Sequence, residues 1–197
     1  LVEPLAEAVK EQTAPWREQG EEMKREVPCS AHGCTGGISP ETALKQAAAR
    51  APQDTLVVTD VGQHQMWAAQ YIRHTMGFGL PAALGAKVGE PDKTVLLITG
   101  DGSILMNCQE FTTLPTYGIQ VKIIVLRNGQ LGMVRQLQGL FRGGRYSQTK
   151  LIRKPSMAKI AEAMGIPSRS ISRPEELAAG LEFLFGSEGS ALLEITI

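Results

Sequence analysis

The chain has 197 residues, 43% of them hydrophobic, which suits one domain with a full core and a smaller added arm. Lysine plus arginine and aspartate plus glutamate both count 20, so no global charge points to nucleic acid or an anionic membrane as a partner. No apolar run reaches the length of a bilayer span, nothing at the start resembles a signal peptide, and three cysteines are too few for a disulfide framework. Reduced thiols and a cytoplasmic location are therefore expected, and a chain that begins at Leu1 is expected to be a fragment or a processed product.

Residues 1–38 read as a charged helical arm and linker. From about Val2 to Arg25 the chain is rich in Glu, Lys, Gln and Ala, as in an exposed helix interrupted near Pro15. The stretch from Val27 to Gly37 is rich in Pro, Cys and Gly. Within it Cys29, His32 and Cys34 stand in "CSAHGC"; the spacing fits no usual zinc pattern and offers no fourth ligand, so a loop is expected rather than a metal centre. A single domain is expected over 39–197. "SPETALKQAAARAP" opens it as a helix, with Ser39 as N-cap and Pro40 at the first helical position.

From there the pattern alternates. "TLVVT" (55–59), "TVLLIT" (94–99) and "VKIIVL" (121–126) are short, β-branched and apolar throughout, as strands buried on both faces are, and "ALLEITI" closes the chain in the same way. Between them "GFGLPAALGAKVG", "SILMNCQEFTTLPTYG", "PSMAKIAEAMG" and "PEELAAGLEFLFG" read as helices, with Cys108 a packing residue in the second. Strands alternating with helices predict an α/β fold: a doubly wound, mostly parallel sheet with helices on both faces. Such sheets bind ligands beyond the carboxyl ends of their strands. Three polar, glycine-rich loops, "TDVGQHQMW", "TGDGS" and "LRNGQLGM", leave those ends and should share one rim.

Asp101 ends one of these strands and Asn128 another. A carboxylate, an amide carbonyl and a nearby main-chain carbonyl form an oxygen site too sparse for calcium, but sufficient for Mg²⁺ that takes its other ligands from water and phosphate. Gly100 and Gly102 let a phosphate approach backbone N–H groups, and a helix is expected to begin at Ser103 with its N-terminus toward it. Taken singly, each feature has a plainer reading: Asn128-Gly129 is a common turn, His64 serves a loop carbonyl, and Met76 and Met133 are core residues. Their joint occurrence on one rim is the informative signal.

"GDGS…LRNGQLGMV" resembles the motif by which thiamin-diphosphate enzymes hold Mg²⁺ and the cofactor's diphosphate. "VVTDVGQHQMWAAQY", "TMGFGLPAALGAK" and "GMVRQ" followed by "FRGGRYSQT" resemble the C-terminal cofactor domain of acetolactate (acetohydroxyacid) synthase large subunits, over roughly 55–197. The resemblance implies thiamin diphosphate and Mg²⁺ as cofactors, with Asp101, Asn128 and the Gln130 carbonyl as metal ligands. It implies Gly100, Gly102, Ser103, Gln63 and His64 around the diphosphate. Met76 would wedge the cofactor into a bent shape and accept the aminopyrimidine amine at its carbonyl, Gly77 would permit close approach, and Met133 would line the wall near the reactive carbon. The implied reaction decarboxylates pyruvate and transfers the hydroxyethyl unit to a second 2-oxo acid, giving 2-acetolactate. Other thiamin-dependent carboligases or oxidases, and a non-catalytic cofactor-binding domain, are the rival readings.

Four departures from the family's pattern bear on function. The pyrimidine-binding domain, which brings the activating glutamate from a partner subunit, and the middle domain that binds FAD are not in this sequence; the 197-residue chain alone is therefore expected to be inactive. "AAQYIRHTMGFG" runs directly into the Met76 block where the family has about a dozen more residues, either deleted here or omitted as a mobile loop, the second being expected. Leu137 stands where the family commonly has tryptophan, which predicts weaker selection of 2-oxobutyrate over pyruvate and resistance to sulfonylurea-type inhibitors. Arg127 precedes Asn128 where an asparagine is commoner, and the metal site is expected to survive that change. A homodimer or higher assembly, with a separate regulatory subunit, is the assembly expected from the family.

Overall fold

The computed structural model describes residues 37–62, 76–152 and 155–197. The charged arm, the Cys29/His32/Cys34 cluster, Gln63, His64 and the segment before Met76 lie outside them.

Helix α1 (Pro40–Arg50) starts as its sequence dictates: the Ser39 hydroxyl accepts from the Thr42 amide at 3.4 Å and Pro40 needs no N–H partner there. Then follow β1 (Leu56–Thr59), α2 (Gly79–Gly89), β2 (Val95–Gly100), a one-turn α3 (Asp101–Ile104), a 3-10 turn over Cys108–Phe111, α4 (Thr113–Tyr117) and β3 (Lys122–Arg127). The second half adds α5 (Gly132–Phe141), α6 (Met157–Ala163), β4 (Ser168–Ile171), α7 (Leu177–Gly186) and β5 (Ala191–Thr196). All five strands are parallel, in the order β1-β2-β3-β5-β4.

The alternation of side chains along each strand divides the core in two. Val95, Leu97, Ile123, Val125 and Leu192 face α2, the Phe111–Leu114 turn and α6. Leu96, Ile98, Ile124, Leu126 and Leu193 face α1 and α7. Nearly all are fully buried, each contributing about 1.5–3 kcal/mol of transfer free energy. Ile38, just before α1, belongs to the second cluster.

Three differences from the sequence reading have local causes. The stretch expected as one helix from Ser103 begins at Asp101 and breaks after one turn. Asn107 explains the break, because its side-chain amide donates to the Gly77 carbonyl at 2.6 Å instead of facing solvent on a helix. Strand β4, "SRSI", has no apolar run, since as an edge strand it buries only Ile171 completely. Helix α5 has no fully buried residue, and Gly129 just before it with Gly132 at its first position made its start read as loop. Cys108 is half-buried against the first cluster.

Candidate functional site

The strands end together on one rim, and a cavity of about 150 Å³ opens there. It is bounded by Gly62 after β1, Gly100 to Ser103 after β2, Asn128, Gln130 and Met133 after β3, and Ile197 after β5. Met76 and Leu137 complete its apolar wall, both partly exposed. Gly77 lies beside it, its amide donating to the buried Ser103 hydroxyl at 3.0 Å. The structure thus brings together every described residue named from sequence as a candidate for the site.

Asp101 is the electrostatic centre. It is 6% exposed, and its two oxygens accept from the Gly102 amide at 3.0 Å and the Gly129 amide at 2.9 Å. Burial pushes its carboxyl above the ordinary carboxylate range, and the two amides and the nearby Arg127 charge offset this only in part. A carboxylate held this way gains most from a cation placed on its remaining lone pairs. Asn128 Oδ1 accepts from the Gln130 amide at 3.0 Å, which folds the loop back and keeps the amide oxygen at the cavity.

A strap positions Gln130 at the cavity. Gln130 bridges Lys150, and the two hydrogen bonds of that bridge run from the Leu131 amide to the Thr149 carbonyl (2.8 Å) and from the Leu151 amide to the Gly129 carbonyl (3.0 Å). Both use the neighbours of Gln130 and leave its own carbonyl out of the bridge. One carboxylate and two neutral oxygens suit a hard divalent cation that completes its shell with phosphate and water. Among the described residues there is no cluster of three or more His, Cys, Asp or Glu side chains, so a softer, all-protein metal cage is not formed there. At Gly102 an added Cβ would meet the flexible tip of Leu131 at 2.9 Å, so the absence of a side chain lets Leu131 pack directly on this backbone at the cavity edge.

Arg127 extends the site inward, with Nε 3.5 Å from Glu194 Oε1. Glu194 is fully buried on β5 and accepts from the Ser156 hydroxyl at 2.7 Å and the Met157 amide at 3.3 Å, at the start of α6. Sequence reasoning also missed Asp60, a fully buried carboxylate whose partner Gly77 lies 17 positions away. Only its place after a buried strand signalled it.

Residues 60–195 match the family described as the thiamine pyrophosphate enzyme C-terminal, TPP-binding domain. The chain is 47% identical over 167 residues to the acetolactate synthase isozyme 2 large subunit of Escherichia coli, covering 78% of this chain and 30% of that protein. It is 40% identical over 195 residues to the acetolactate synthase large subunit of Parasynechococcus marenigrum, covering 90% and 31% respectively. The chain therefore spans about a third of the length of these relatives. Among solved structures, a thiamine diphosphate-dependent 4-hydroxybenzoylformate decarboxylase from Rhodococcus jostii superposes with a TM-score of 0.75 at 23% identity, over 85% of this chain and 34% of that one. That likeness concerns the fold. No helix among the described residues is long and apolar enough to cross a membrane.

Proposed function

Because the chain belongs to the family of C-terminal, thiamine pyrophosphate-binding domains of thiamine pyrophosphate enzymes, we propose that it is the diphosphate-binding half of an acetolactate synthase-like active site. The observation that carries this reading is the rim cavity, where a buried carboxylate, an amide-bearing side chain, two glycines and two methionines converge. On this reading Asp101, Asn128 and the Gln130 carbonyl would hold Mg²⁺, which would neutralise the charge of the cofactor's diphosphate. Gly100, Gly102 and Ser103 meet that diphosphate, with Gln63 and His64 from the loop after β1. Thiamin diphosphate held there would supply a nucleophilic carbon for a 2-oxo acid and an electron sink for the pair left behind as CO₂ departs.

The chain's own residues then do three things. Met76, which lines the rim cavity, would pack against the cofactor and help fix its conformation, and its carbonyl would receive the exocyclic amine of the aminopyrimidine. Met133 and Leu137 exclude water from the reacting face, which favours loss of CO₂ because charge disperses as it leaves. Leu137 gives the second substrate a flexible aliphatic contact in place of a flat ring, so pyruvate competes well with 2-oxobutyrate. The pyrimidine-side groups come from another domain, carried by a partner subunit in a dimer or larger assembly, with FAD on a further domain.

Calorimetry with thiamin diphosphate and Mg²⁺ tests the cofactor reading. Metal-dependent binding is expected for the wild-type chain and its loss in Asp101→Ala; equal binding by both overturns it. Product analysis of the full-length enzyme on pyruvate tests the reaction. 2-Acetolactate is expected, whereas acetaldehyde or acetate as sole product assigns the site to a decarboxylase or oxidase, and no turnover assigns it to a binding module.

A further inference from the structure

Arg127 carries a positive charge at the end of β3, one position before Asn128. Gly100 of β2 pairs with Leu126 of β3, so Asp101 and Arg127, the next residue of each strand, stand at the same level of the rim. Burial raises the Asp101 carboxyl, and the Arg127 charge is one of the influences that act against it.

The guanidinium is tied to this place from behind. Val125 pairs with Glu194 on β5, and side chains two apart on a strand share a face, so Arg127 and Glu194 project on the same side of the sheet. Arg127 Nε lies 3.5 Å from Glu194 Oε1, with the arginine side chain 25% exposed and the glutamate fully buried. Glu194 is itself held, its Oε2 accepting from the Ser156 hydroxyl at 2.7 Å and its Oε1 from the Met157 amide at 3.3 Å. Moving Arg127 away would strand a buried carboxylate without its cation. A guanidinium also keeps its proton at any working pH, so the charge is a permanent part of the rim.

Counting charges separates two kinds of ligand. Asp101 and Glu194 contribute one negative charge each and Arg127 one positive, which leaves this cluster at −1. A divalent cation alone takes it to +1 and is repelled by Arg127. A diphosphate that arrives with the cation reverses the excess and is attracted by the same guanidinium. Without Arg127 the cluster stands at −2, and a divalent cation alone neutralises it.

We propose that Arg127, anchored by Glu194, couples the two ligands of this site: it weakens binding of a divalent cation alone and strengthens binding of diphosphate once the cation is in place. The inference rests on the cofactor reading given above and gives neither residue a place among the metal ligands. Its consequence is that metal and cofactor fill the cavity together, because such coupling is reciprocal.

Two titrations of the 197-residue chain test this. One uses Mn²⁺ alone, in place of Mg²⁺, with the free ion followed by electron paramagnetic resonance. The other uses thiamin diphosphate at saturating Mg²⁺, followed by calorimetry. Arg127→Gln should bind Mn²⁺ about tenfold more tightly than wild type and thiamin diphosphate about fivefold more weakly, as expected for one unit charge at a partly exposed site. Arg127→Lys keeps the charge and should stay within about twofold of wild type for both. Opposite signs are the decisive readout, since damage to the loop weakens both ligands together. Shifts of the same sign, no shift in either, or an Arg127→Lys that behaves like Arg127→Gln overturn the proposal. Should Arg127→Gln not fold, the wild-type chain decides: it should hold Mn²⁺ at least about tenfold more tightly with thiamin diphosphate present than without, and equal affinity overturns the proposal. If the wild-type chain binds no thiamin diphosphate at saturating Mg²⁺, the cofactor reading itself fails and takes this inference with it.

Discussion

At the amino rim of the sheet, the Lys122 ammonium on β3 donates to the Ser187 carbonyl and to the Gly189 carbonyl at 2.7 Å. The Ser190 hydroxyl beside it accepts from the Val121 amide and donates to the Ile119 carbonyl. At the carboxyl rim, Asp101 is as deeply placed but accepts only two backbone amides, and burial pushes its carboxyl up. The amino rim has the larger recess, about 520 Å³ against about 150 Å³, yet no buried carboxylate lines it. The first rim uses its buried polar groups to close the chain on itself, as the Lys122 carbonyl contacts do where α7 ends. The second holds oxygens in place with capacity left over, as a site for something outside the chain must.

The two rims should therefore break differently. Asp101→Ala should lower metal-dependent affinity for thiamin diphosphate by on the order of 100-fold or more, as loss of a ligand does. Its effect on unfolding should stay within about 1 kcal/mol, because two amides lose an acceptor while a buried charge is also removed. Lys122→Met should do the reverse. Leaving the Ser187 and Gly189 carbonyls without their cationic donor should cost about 2 kcal/mol in denaturant unfolding, with cofactor affinity unchanged. A Lys122 variant that binds the cofactor poorly while remaining folded would show that the rims are coupled. Within the carboxyl rim, Leu137→Trp in the full-length enzyme should raise the preference for 2-oxobutyrate over pyruvate by about tenfold, measured by product competition. An unchanged ratio would remove Leu137 from the specificity wall.

These rims differ in how far sequence reveals them. Apolar runs such as "VLLIT" and "KIIVL" identify β2 and β3 because both faces are buried, and a buried parallel sheet then fixes which loops share the carboxyl rim. That was sufficient to bring Asp101 and Asn128 onto one rim, whereas Gln130 was named only through the family resemblance. Asp60 was missed because its meaning lies in the contact with Gly77, and no spacing rule predicts a bond between a strand end and a turn 17 residues later. Strand β4 was missed for a related reason: "SRSI" is recruited by pairing with β5, with Ser168 opposite Leu192 and Ile171 opposite Ile195, and not by its own hydrophobicity. The strap from Gly129 to Leu151 is likewise a long-range contact between two polar loops.

The smallest predicted effect sharpens the comparison inside the carboxyl rim itself. Glu176 follows β4 and, unlike Asp101, adds a charged side-chain donor to its backbone ones: the Ser172 and Arg173 amides at 3.1 and 3.0 Å and the Arg173 guanidinium at 2.7 Å. These hydrogen bonds, led by that from the Arg173 side chain, hold its carboxyl down from the usual 4.5 to about 2. A depressed carboxylate stabilises the fold only while ionised, so its contribution is complete above pH 4.5 and disappears as pH falls through about 2. Glu176→Gln should therefore unfold at a slightly lower temperature than wild type at pH 7, by a small margin because the group is exposed and screened. The gap between the two melting temperatures should close between pH 4.5 and about 2. A gap that persists at pH 2 would mean that shape, not charge, holds the turn, and the contrast with Asp101 would then rest on Asp101 alone.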